Sequence, residues 1–317
     1  MHESSVPAMP RSQAGHQARL RPFHTFHEVA ETCLDLLALS ADMALWMLTR
    51  SQGSDWILLA LRDRHYGLVP GQVLRWQDAL CRRTVDTHRP VILGDLADAP
   101  DWRQAPIARA LPIRSYIGIP VSRADGGLFG TFCAFDPEPR SLRASKLVPV
   151  LVNLSRAITT WLMLQSELES CERELLRRAL TDRVDSVTGL LDSDGWQRML
   201  DYEQLRLDQL PTGTGILALR LHDNGQTEYE DQLRTFAGLL RLQLSLNDSA
   251  AYLGGGDFVV ALPQVCPGPL AEVTARIRSA LPSMRLTVDI GQAWSGLRGN
   301  LTRTWREAEL ARDRQRG

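Results

Sequence analysis

Five consecutive residues near the end of the chain, Gly254-Gly255-Gly256-Asp257-Phe258, are the most informative stretch of the sequence. They lie between two short apolar runs, Ala250 to Leu253 and Phe258 to Leu262. Glycines between such runs predict the tight turn of a β-hairpin, where a phosphate can approach the backbone closely. An acidic side chain at position 256 would allow the turn to hold a metal ion, but this chain has glycine there.

Helices and strands alternate around this hairpin. Apolar periodicity predicts helices over Trp196 to Leu207, Tyr229 to Leu244, Leu270 to Leu281 and Arg303 to Arg314, and strands over Gly215 to Leu221 and Arg285 to Gly291. This order predicts a split βαβ, palm-like α/β sheet in the second part of the chain.

Three segments of this part resemble the GGDEF family of diguanylate cyclases. They are Asp185 to Leu190, the hairpin stretch Gly254 to Phe258, and Thr287 to Gly291. The segments occur in the order of the family, and the resemblance covers residues 185–317. It implies the nucleotide-cyclase fold and a reaction in which a dimer joins two GTP molecules into cyclic di-GMP, with Mg²⁺ and GTP in each half-site.

The positions that would carry this chemistry have changed. In the family, one metal-binding carboxylate lies on the strand before the long helix, where this chain has Arg220. The other is the third signature residue, here Gly256, whereas Asp257 holds the fourth position. Because Mg²⁺ requires oxygen ligands, the loss of both acids predicts an inactive domain with no metal. Arg220 and Gly254, Gly255, Gly256, Asp257 and Phe258 are therefore degenerate active-site positions, and we expect no catalytic residue and no cofactor.

Other nucleotide contacts of the family are also missing. The loop that would cradle phosphates is shortened to His222 to Gly225. The inhibitory product site of the family is an Arg-x-x-Asp motif, and the corresponding stretch is Ser245-Leu246-Asn247-Asp248, which retains only Asp248. Asp192 and Ser193, which follow the Thr-Gly-Leu run, are better suited to cap a helix.

The first part of the chain has the pattern of an α+β sensor module. Predicted helices cover Phe26 to Leu39 and Gln77 to Thr87, and predicted strands cover Ala44 to Leu48, Trp56 to Leu61, Val91 to Leu93, Ser115 to Val121 and Leu128 to Phe135. An Asp-Gly step in Ala124 to Gly127 predicts a hairpin between the last two strands. Antiparallel strands with flanking helices define the fold class.

Residues 23–164 resemble the GAF family. The resemblance rests on Arg89 to Asp95, Ser115 to Val121 and Gly130 to Asp136. GAF domains bind cyclic nucleotides, tetrapyrroles or small metabolites, and many only dimerise, so the fold leaves any small-molecule ligand unidentified. Arg82 follows Cys81 where a bilin-binding member often has histidine, which disfavours a pigment.

A long helix is predicted between the two domains. Apolar or small residues recur in alternating steps of three and four from Leu147 to Leu175, which is the a/d pattern of a coiled coil. The predicted dimer seam comprises Leu154, Trp161, Leu164, Leu168, Cys171 and Leu175. Charged residues flank its second half, so we favour a parallel homodimer with a helical linker over residues 165–184. The alternative is one amphipathic helix that packs on its own sheet.

Composition limits the function classes. The chain has 317 residues with 44% hydrophobic content and a net charge of -1, which fits two domains and provides no basic field for nucleic acid. Its five cysteines have no CxxC spacing, which suits a reducing cytosol. Residues 1–22 are polar and predict a flexible tail, and Arg156 in the apolar run Leu147 to Leu164 argues against membrane insertion.

Together these features predict a cytoplasmic homodimer with a GAF sensor or dimerisation domain, a helical linker and an inactive GGDEF domain over residues 185–317. The GGDEF domain would serve as the output of the protein, either by regulation or by binding a protein partner. One alternative is a divergent active cyclase that uses Asp257 or Asp223 for metal. Another is a receptor that binds GTP or cyclic di-GMP without turnover.

Overall fold

The computed structural model of the chain describes residues 23–123, 125–210, 212–225 and 227–314. The predicted tail over residues 1–22 lies outside the described residues, as do Ala124 of the predicted hairpin turn and the last three positions, 315–317.

The first sheet is antiparallel throughout and confirms the predicted sensor-type fold. Its strands are β1 (Leu45–Gln52), β2 (Asp55–Asp63), β3 (Val73–Arg75), β4 (Val91–Leu93), β5 (Ser115–Ser122) and β6 (Leu128–Asp136). They lie in the order β3-β2-β1-β6-β5-β4. The short edge strand β3 was not predicted from the sequence.

Helices cover both faces of this sheet. They are α1 (Phe26–Ser40), α2 (Leu80–Thr87), α3 (Pro100–Arg103) and α4 (Pro106–Ala110). Thr25 and Glu28 form a capping box that fixes the start of α1, which packs on one face together with the long helix over Ala144–Ala179. The other face is covered by α2, α3 and α4. The helix predicted over Gln77 to Thr87 is divided into a 3₁₀ turn (Trp76–Asp78) and α2.

A single helix, α5 (Ala144–Ala179), leads from this sheet to the second domain. Over one window the mean hydropathy of α5 is 1.5, so the helix could cross a membrane by length and composition, and 28% of that window is buried. One helix of this kind is weak evidence for a membrane span.

The second sheet has the predicted split βαβ topology. Its strands are β7 (Thr214–His222), β8 (Ser249–Gly254), β9 (Asp257–Pro263) and β10 (Thr287–Trp294), in the order β10-β7-β9-β8. Every neighbouring pair is antiparallel, so β9 lies between two parallel strands, β7 and β8, that a helix connects. The palm-like prediction is therefore confirmed.

Four helices cover the second sheet. They are α6 (Ser193–Gln209), α7 (Tyr229–Gln243), α8 (Pro267–Ala280) and α9 (Leu301–Asp313). One face packs against α7 and α8, and the other against α6 and α9. Asp192 accepts a hydrogen bond from the backbone N–H of Gly195 and caps α6, as predicted.

The two domains share one apolar core. Leu210, Cys266 and Leu297 from the second domain are buried in the same cluster as α1, α5 and the inner face of the first sheet. The position of the second domain is therefore fixed by packing as well as by chain connection.

Candidate functional site

A cluster of charged side chains lies at the end of the second sheet that carries the glycine turn. Arg220 on β7 is in register with Asp257 on β9 and, on its other side, with Asp289 on β10. Strand pairing therefore places a cation between two carboxylates, an arrangement that stabilises neighbouring strands.

Asp257 is bound by two arginines. Arg220 donates from Nε to Asp257 Oδ1 at 2.7 Å and from Nη2 to Oδ2, which makes the contact bidentate. Arg312 on α9 donates from Nη1 to Asp257 Oδ1 at 3.0 Å. The hydrogen bonds to Asp257 raise the pKa of Arg220. Both oxygens of this carboxylate are therefore engaged by guanidinium groups.

The glycine turn cannot accommodate a side chain at position 256. Gly254, Gly255 and Gly256 all have positive φ, of 92°, 58° and 87°. A Cβ atom on Gly256 would lie 2.5 Å from the carbonyl oxygen of Leu221 and 2.6 Å from the hydroxyl of Tyr229. The backbone N–H of Leu221 also donates to the Gly256 carbonyl at 2.9 Å. Tyr229 thus occupies the space in which a signature carboxylate would begin.

The remaining polar groups at this end have partners within the chain. His222 Nε2 lies 2.7 Å from Asp289 Oδ2. Asp223 accepts from the backbone N–H of Gly225 and from Gln232 Nε2, both at 2.9 Å. The backbone hydrogen bond to Gly225, followed by that from Gln232, lowers the pKa of Asp223. Asp223 therefore serves the turn that leads into α7.

These residues do not fit the Mg²⁺ ion that the GGDEF resemblance implies. Within residues 23–123, 125–210, 212–225 and 227–314, no group of three or more His, Cys, Asp or Glu side chains is placed to hold a metal. Asp257 contacts two arginines, and Arg220 carries positive charge at the position of the family's other carboxylate. A divalent cation would be repelled by both guanidinium groups.

Asp248 lies apart from this cluster, beside a cavity of about 760 Å³. It accepts a hydrogen bond from the backbone N–H of Ser245 at 2.7 Å, which holds the turn between α7 and β8. Burial raises the pKa of Asp248. Arg177 from the end of α5 and Arg241 from α7 line the same cavity. The stretch Ser245 to Asp248 lacks the arginine of the family's motif, but the fold places Arg177 and Arg241 in the cavity beside Asp248.

The predicted dimer seam lies only in part on the outer side of α5. Leu154 and Trp161 are partly buried, whereas four members are exposed: Leu164, Leu168, Cys171 and Leu175. A different stripe is buried against the domains, namely Leu147, Leu151, Ser155, Ile158, Leu162, Glu169 and Arg173. The helix thus packs on its own chain, as in the alternative interpretation, and still presents an apolar face to the outside.

The second half of α5 is held by a buried polar network. Arg173 Nη1 lies 2.9 Å from Glu203 Oε1, and Arg206 Nε donates to Glu203 Oε2 at 2.6 Å. Glu169 Oε2 accepts from Gln264 Nε2 at 2.8 Å. This network joins α5 to α6 and to the loop after β9.

The sheet face under α2, α3 and α4 is filled with large side chains. Trp56, Tyr116 and Phe135 are each at most 1% exposed, and Trp102 stacks on Tyr116 with ring centroids 5.5 Å apart. In the described residues, aromatic packing thus occupies the face that these helices cover.

Two features of the site were missed from the sequence. Arg312 lies 55 positions after Asp257 and is buried, and the predicted helix over Arg303 to Arg314 does not by itself indicate this contact. For Tyr229 the sequence predicts only the start of a helix. The signal for its contact is the glycine at position 256, because a residue without a Cβ atom permits a side chain to approach the backbone closely.

An antiparallel six-stranded sheet, a long helix and a split βαβ sheet define a sensor-type module joined to a nucleotide-cyclase-like module. Residues 24–158 match the GAF domain family (GAF_2). The chain is 26% identical over 163 residues to the diguanylate cyclase DgcP of Escherichia coli strain K12. That match covers 50% of this chain and 46% of the relative, so the chain spans about half of its length. The first part of the chain thus matches a GAF domain, and the chain is similar over half of its length to a diguanylate cyclase.

Solved structures resemble each part separately. The FimX GGDEF domain of Pseudomonas aeruginosa is 17% identical, with a TM-score of 0.38 over 43% of this chain and 95% of that domain. The GAF domain of the Acinetobacter phosphoenolpyruvate-protein phosphotransferase is 12% identical, with a TM-score of 0.38 over 46% of this chain and 87% of that one.

Proposed function

We propose that this chain is a cytoplasmic, homodimeric signalling protein whose GGDEF domain is catalytically inactive and acts as a regulatory or protein-binding output in cyclic di-GMP signalling. The GAF domain is the sensor or dimerisation module, and α5 connects it to the output. The relation to a diguanylate cyclase supports the choice of pathway.

The observation that carries the proposal is the Arg220–Asp257–Arg312 cluster. In an active cyclase, carboxylates hold Mg²⁺ and the metal neutralises the charge of the triphosphate. Here Arg220 supplies the positive charge from a side chain that binds Asp257 with two hydrogen bonds. The position at which the second acid would lie has no room for it, because Tyr229 is there.

The test is incubation of the purified full-length protein with GTP and either Mg²⁺ or Mn²⁺, followed by chromatography for cyclic di-GMP. The Escherichia coli relative DgcP serves as the positive control for the assay. We expect GTP to remain intact. Formation of cyclic di-GMP would overturn the proposal, and its loss in Asp257→Ala would assign the metal to Asp257.

A second candidate function is a receptor that binds cyclic di-GMP or GTP without turnover. The cavity of about 760 Å³ favours it, because Arg177, Arg241 and Asp248 line one space that is large enough for a nucleotide. Arg241 donates from Nη2 to the carbonyl of Thr188 at 2.5 Å, so one of its nitrogens is already engaged.

Isothermal titration of each nucleotide into the full-length protein separates the two candidates. Heat of binding that is abolished in Arg177→Ala, with GTP unchanged, would favour the receptor. Arg178→Ala is the matched control, because Arg178 is the next residue of α5, is exposed and does not line the cavity. No heat in either titration favours the protein-binding output.

A further inference from the structure

Two cysteines that are far apart in sequence meet inside the GAF domain. Cys81 on α2 and Cys133 on β6 have their Sγ atoms 3.0 Å apart, across a separation of 52 positions. Neither side chain is exposed. The sequence showed no paired spacing of cysteines, so this pair arises only from the way that α2 packs on the sheet.

The pair belongs to a buried row of polar groups in an otherwise apolar core. Thr131 Oγ1 lies 3.6 Å from Cys133 Sγ, and Thr49 Oγ1 lies 2.9 Å from Thr131 Oγ1. On the other side, the hydroxyls of Thr84 and Tyr116 are hydrogen bonded to each other. Buried polar groups are expected to have partners, and here each sulfur has a partner in the other.

The two thiols differ in their tendency to ionise. Burial disfavours the thiolate of Cys81, but hydrogen bonds from its neighbours bring its pKa below the ordinary value. Burial raises the pKa of Cys133 well above it. Cys81 is accordingly the better nucleophile of the pair, because the thiolate is the reactive form of cysteine.

We propose that Cys81 and Cys133 are a redox modification site, a dithiol that a peroxide converts to an intramolecular disulfide. The sulfur of Cys81 attacks one oxygen of hydrogen peroxide, the O–O bond breaks, and a sulfenic acid and one water form. The sulfur of Cys133 then attacks the sulfenic sulfur, its proton leaves with the hydroxyl group, and a second water is released. Together the two thiols lose two protons and two electrons, which reduce the peroxide to two molecules of water.

Closure of this bond requires only a small movement. The sulfurs already touch, and displacements of about 1 Å occur in folded cores on fast timescales. The disulfide would tie α2 to the central strand pair β6 and β1, in which Cys133 is in register with Met47. The GAF domain would then receive an oxidative input in a face that is otherwise filled by side chains. This inference does not depend on the activity of the second domain.

The experiment is peptide mapping of the full-length protein after reduction, desalting and exposure to hydrogen peroxide, with alkylation under denaturing conditions. We expect a linked peptide that contains Cys81 and Cys133, which removes two of the five free thiols of the reduced chain independently of any oxidation of the exposed Cys171. Dithiothreitol should restore five. Absence of this linked peptide in folded wild-type protein, with Cys81 and Cys133 still alkylated, would overturn the proposal.

Variants distinguish the pair from general oxidation of buried cysteine. Cys133→Ala should block the intramolecular disulfide and leave a trappable sulfenic acid on Cys81. The matched control is Cys33→Ala, because Cys33 is also buried, and burial raises its pKa to about 11. This control should form the linked peptide as the wild type does. Equal loss of thiols in Cys133→Ala and wild type would contradict the assignment. If Cys133→Ala does not fold, the presence or absence of the linked peptide in the wild type decides whether the disulfide forms.

Discussion

Arg220 lies between the carboxylates of two neighbouring strands. The positive charge at this position therefore belongs to a side chain and not to a bound metal ion. A guanidinium stays protonated at every physiological pH, so its charge does not depend on metal concentration. Its two hydrogen bonds to Asp257 also hold the end of β7 to β9 at the glycine turn. At this position the structure favours a constitutive ion pair over a reversible metal site.

Replacement of Arg220 by alanine should lower the free energy of unfolding by about 1 kcal/mol, because a partly exposed bidentate ion pair is lost. Asp257 would keep only Arg312. Urea denaturation measures the change. The matched control is Arg234→Ala on α7, whose ion pairs with Glu230 and Asp231 are more exposed, and its cost should be at most about 0.5 kcal/mol. Equal effects in the two variants would contradict the structural role of Arg220.

Restoration of the signature acid by Gly256→Glu should destabilise the domain and should not produce cyclic di-GMP. The reason is steric, because a Cβ atom there meets the Leu221 carbonyl and the Tyr229 hydroxyl, and φ is 87°. We expect Gly256→Ala to cost at least about 2 kcal/mol. Gly255→Ala is the control, since its φ is also positive but its Cβ would enter open space, and it should cost about 1 kcal/mol. Thermal unfolding compares them, and a smaller cost at Gly256 than at Gly255 would refute the steric argument.

At the scale of elements, α5 has two faces with different roles. One buried stripe runs along the GAF domain and then along the second domain, ending in Glu169 and Arg173. The neighbouring stripe carries the exposed Leu164, Leu168 and Leu175. Apolar side chains in heptad positions on an exposed face are expected to find a partner helix, and a second copy of the chain has the same pattern in register.

Leu168→Glu should convert the proposed dimer to a monomer, because it places two carboxylates opposite each other in the seam. Light scattering after size-exclusion chromatography measures the mass. The control is Leu205→Glu on α6, a leucine that is 64% exposed and outside the seam, which should leave the mass unchanged.

Mild oxidation gives a second measurement of the dimer. Cys171 of two parallel copies would face each other and form a disulfide-linked dimer, which Cys171→Ser would lack. A monomeric wild type would contradict the homodimer.

The elements that sequence predicted well are those with strong periodicity. The helices predicted from Phe26 and from Tyr229 agree closely with α1 and α7, and the hairpin around Gly254 agrees with β8 and β9. The missed elements β3, α3 and α4 have three to five residues each, too few to show a period. Arg312 could not be placed from local pattern, because its partner Asp257 is distant in sequence and the contact depends on how α9 packs.

The whole molecule is organised around the junction of the GAF domain, α5 and the second domain. Arg50, which is buried on β1, donates to the carbonyls of Thr212 at 3.0 Å and Gln264 at 2.5 Å. Nearby, Asp55 accepts from the backbone N–H of Gly268 at 2.7 Å, at the start of α8. These contacts make the first sheet, and not only α5, a direct support for the second domain.

The junction should impart a pH dependence through Glu169. Burial raises its pKa, and the neighbouring carboxylate of Glu203 adds to this rise, whereas Arg206, the hydrogen bond from Gln165 and Arg173 oppose it. The folded state then keeps a proton that the unfolded chain has released, so this stabilising contribution is present at low pH and is lost as pH rises through the raised pKa. Glutamine does not titrate. The free energy of unfolding of Glu169→Gln, relative to wild type, should therefore increase as pH rises.

Urea denaturation of both proteins between about pH 5 and pH 8 measures this difference. Glu167→Gln removes a carboxylate from the exposed side of the same helix and controls for the change in net charge. A difference between Glu169→Gln and wild type that stays constant or falls with pH would contradict the buried carboxyl.

Because the two domains share one core cluster and the Arg50 hydrogen bonds, the wild type should unfold in a single calorimetric transition. Arg50→Met keeps much of the apolar stem but leaves two buried carbonyls without their donor, which should cost about 2 kcal/mol. Its transition should separate into two, since the domains lose the Arg50 hydrogen bonds and keep only the weaker part of the contacts that couple them. Arg62→Met on β2 removes a partly exposed arginine that pairs with Asp35, and its single transition should shift little. Two transitions in the wild type would instead mean that α5 alone connects the domains, and the GAF domain could then influence its output only through that helix.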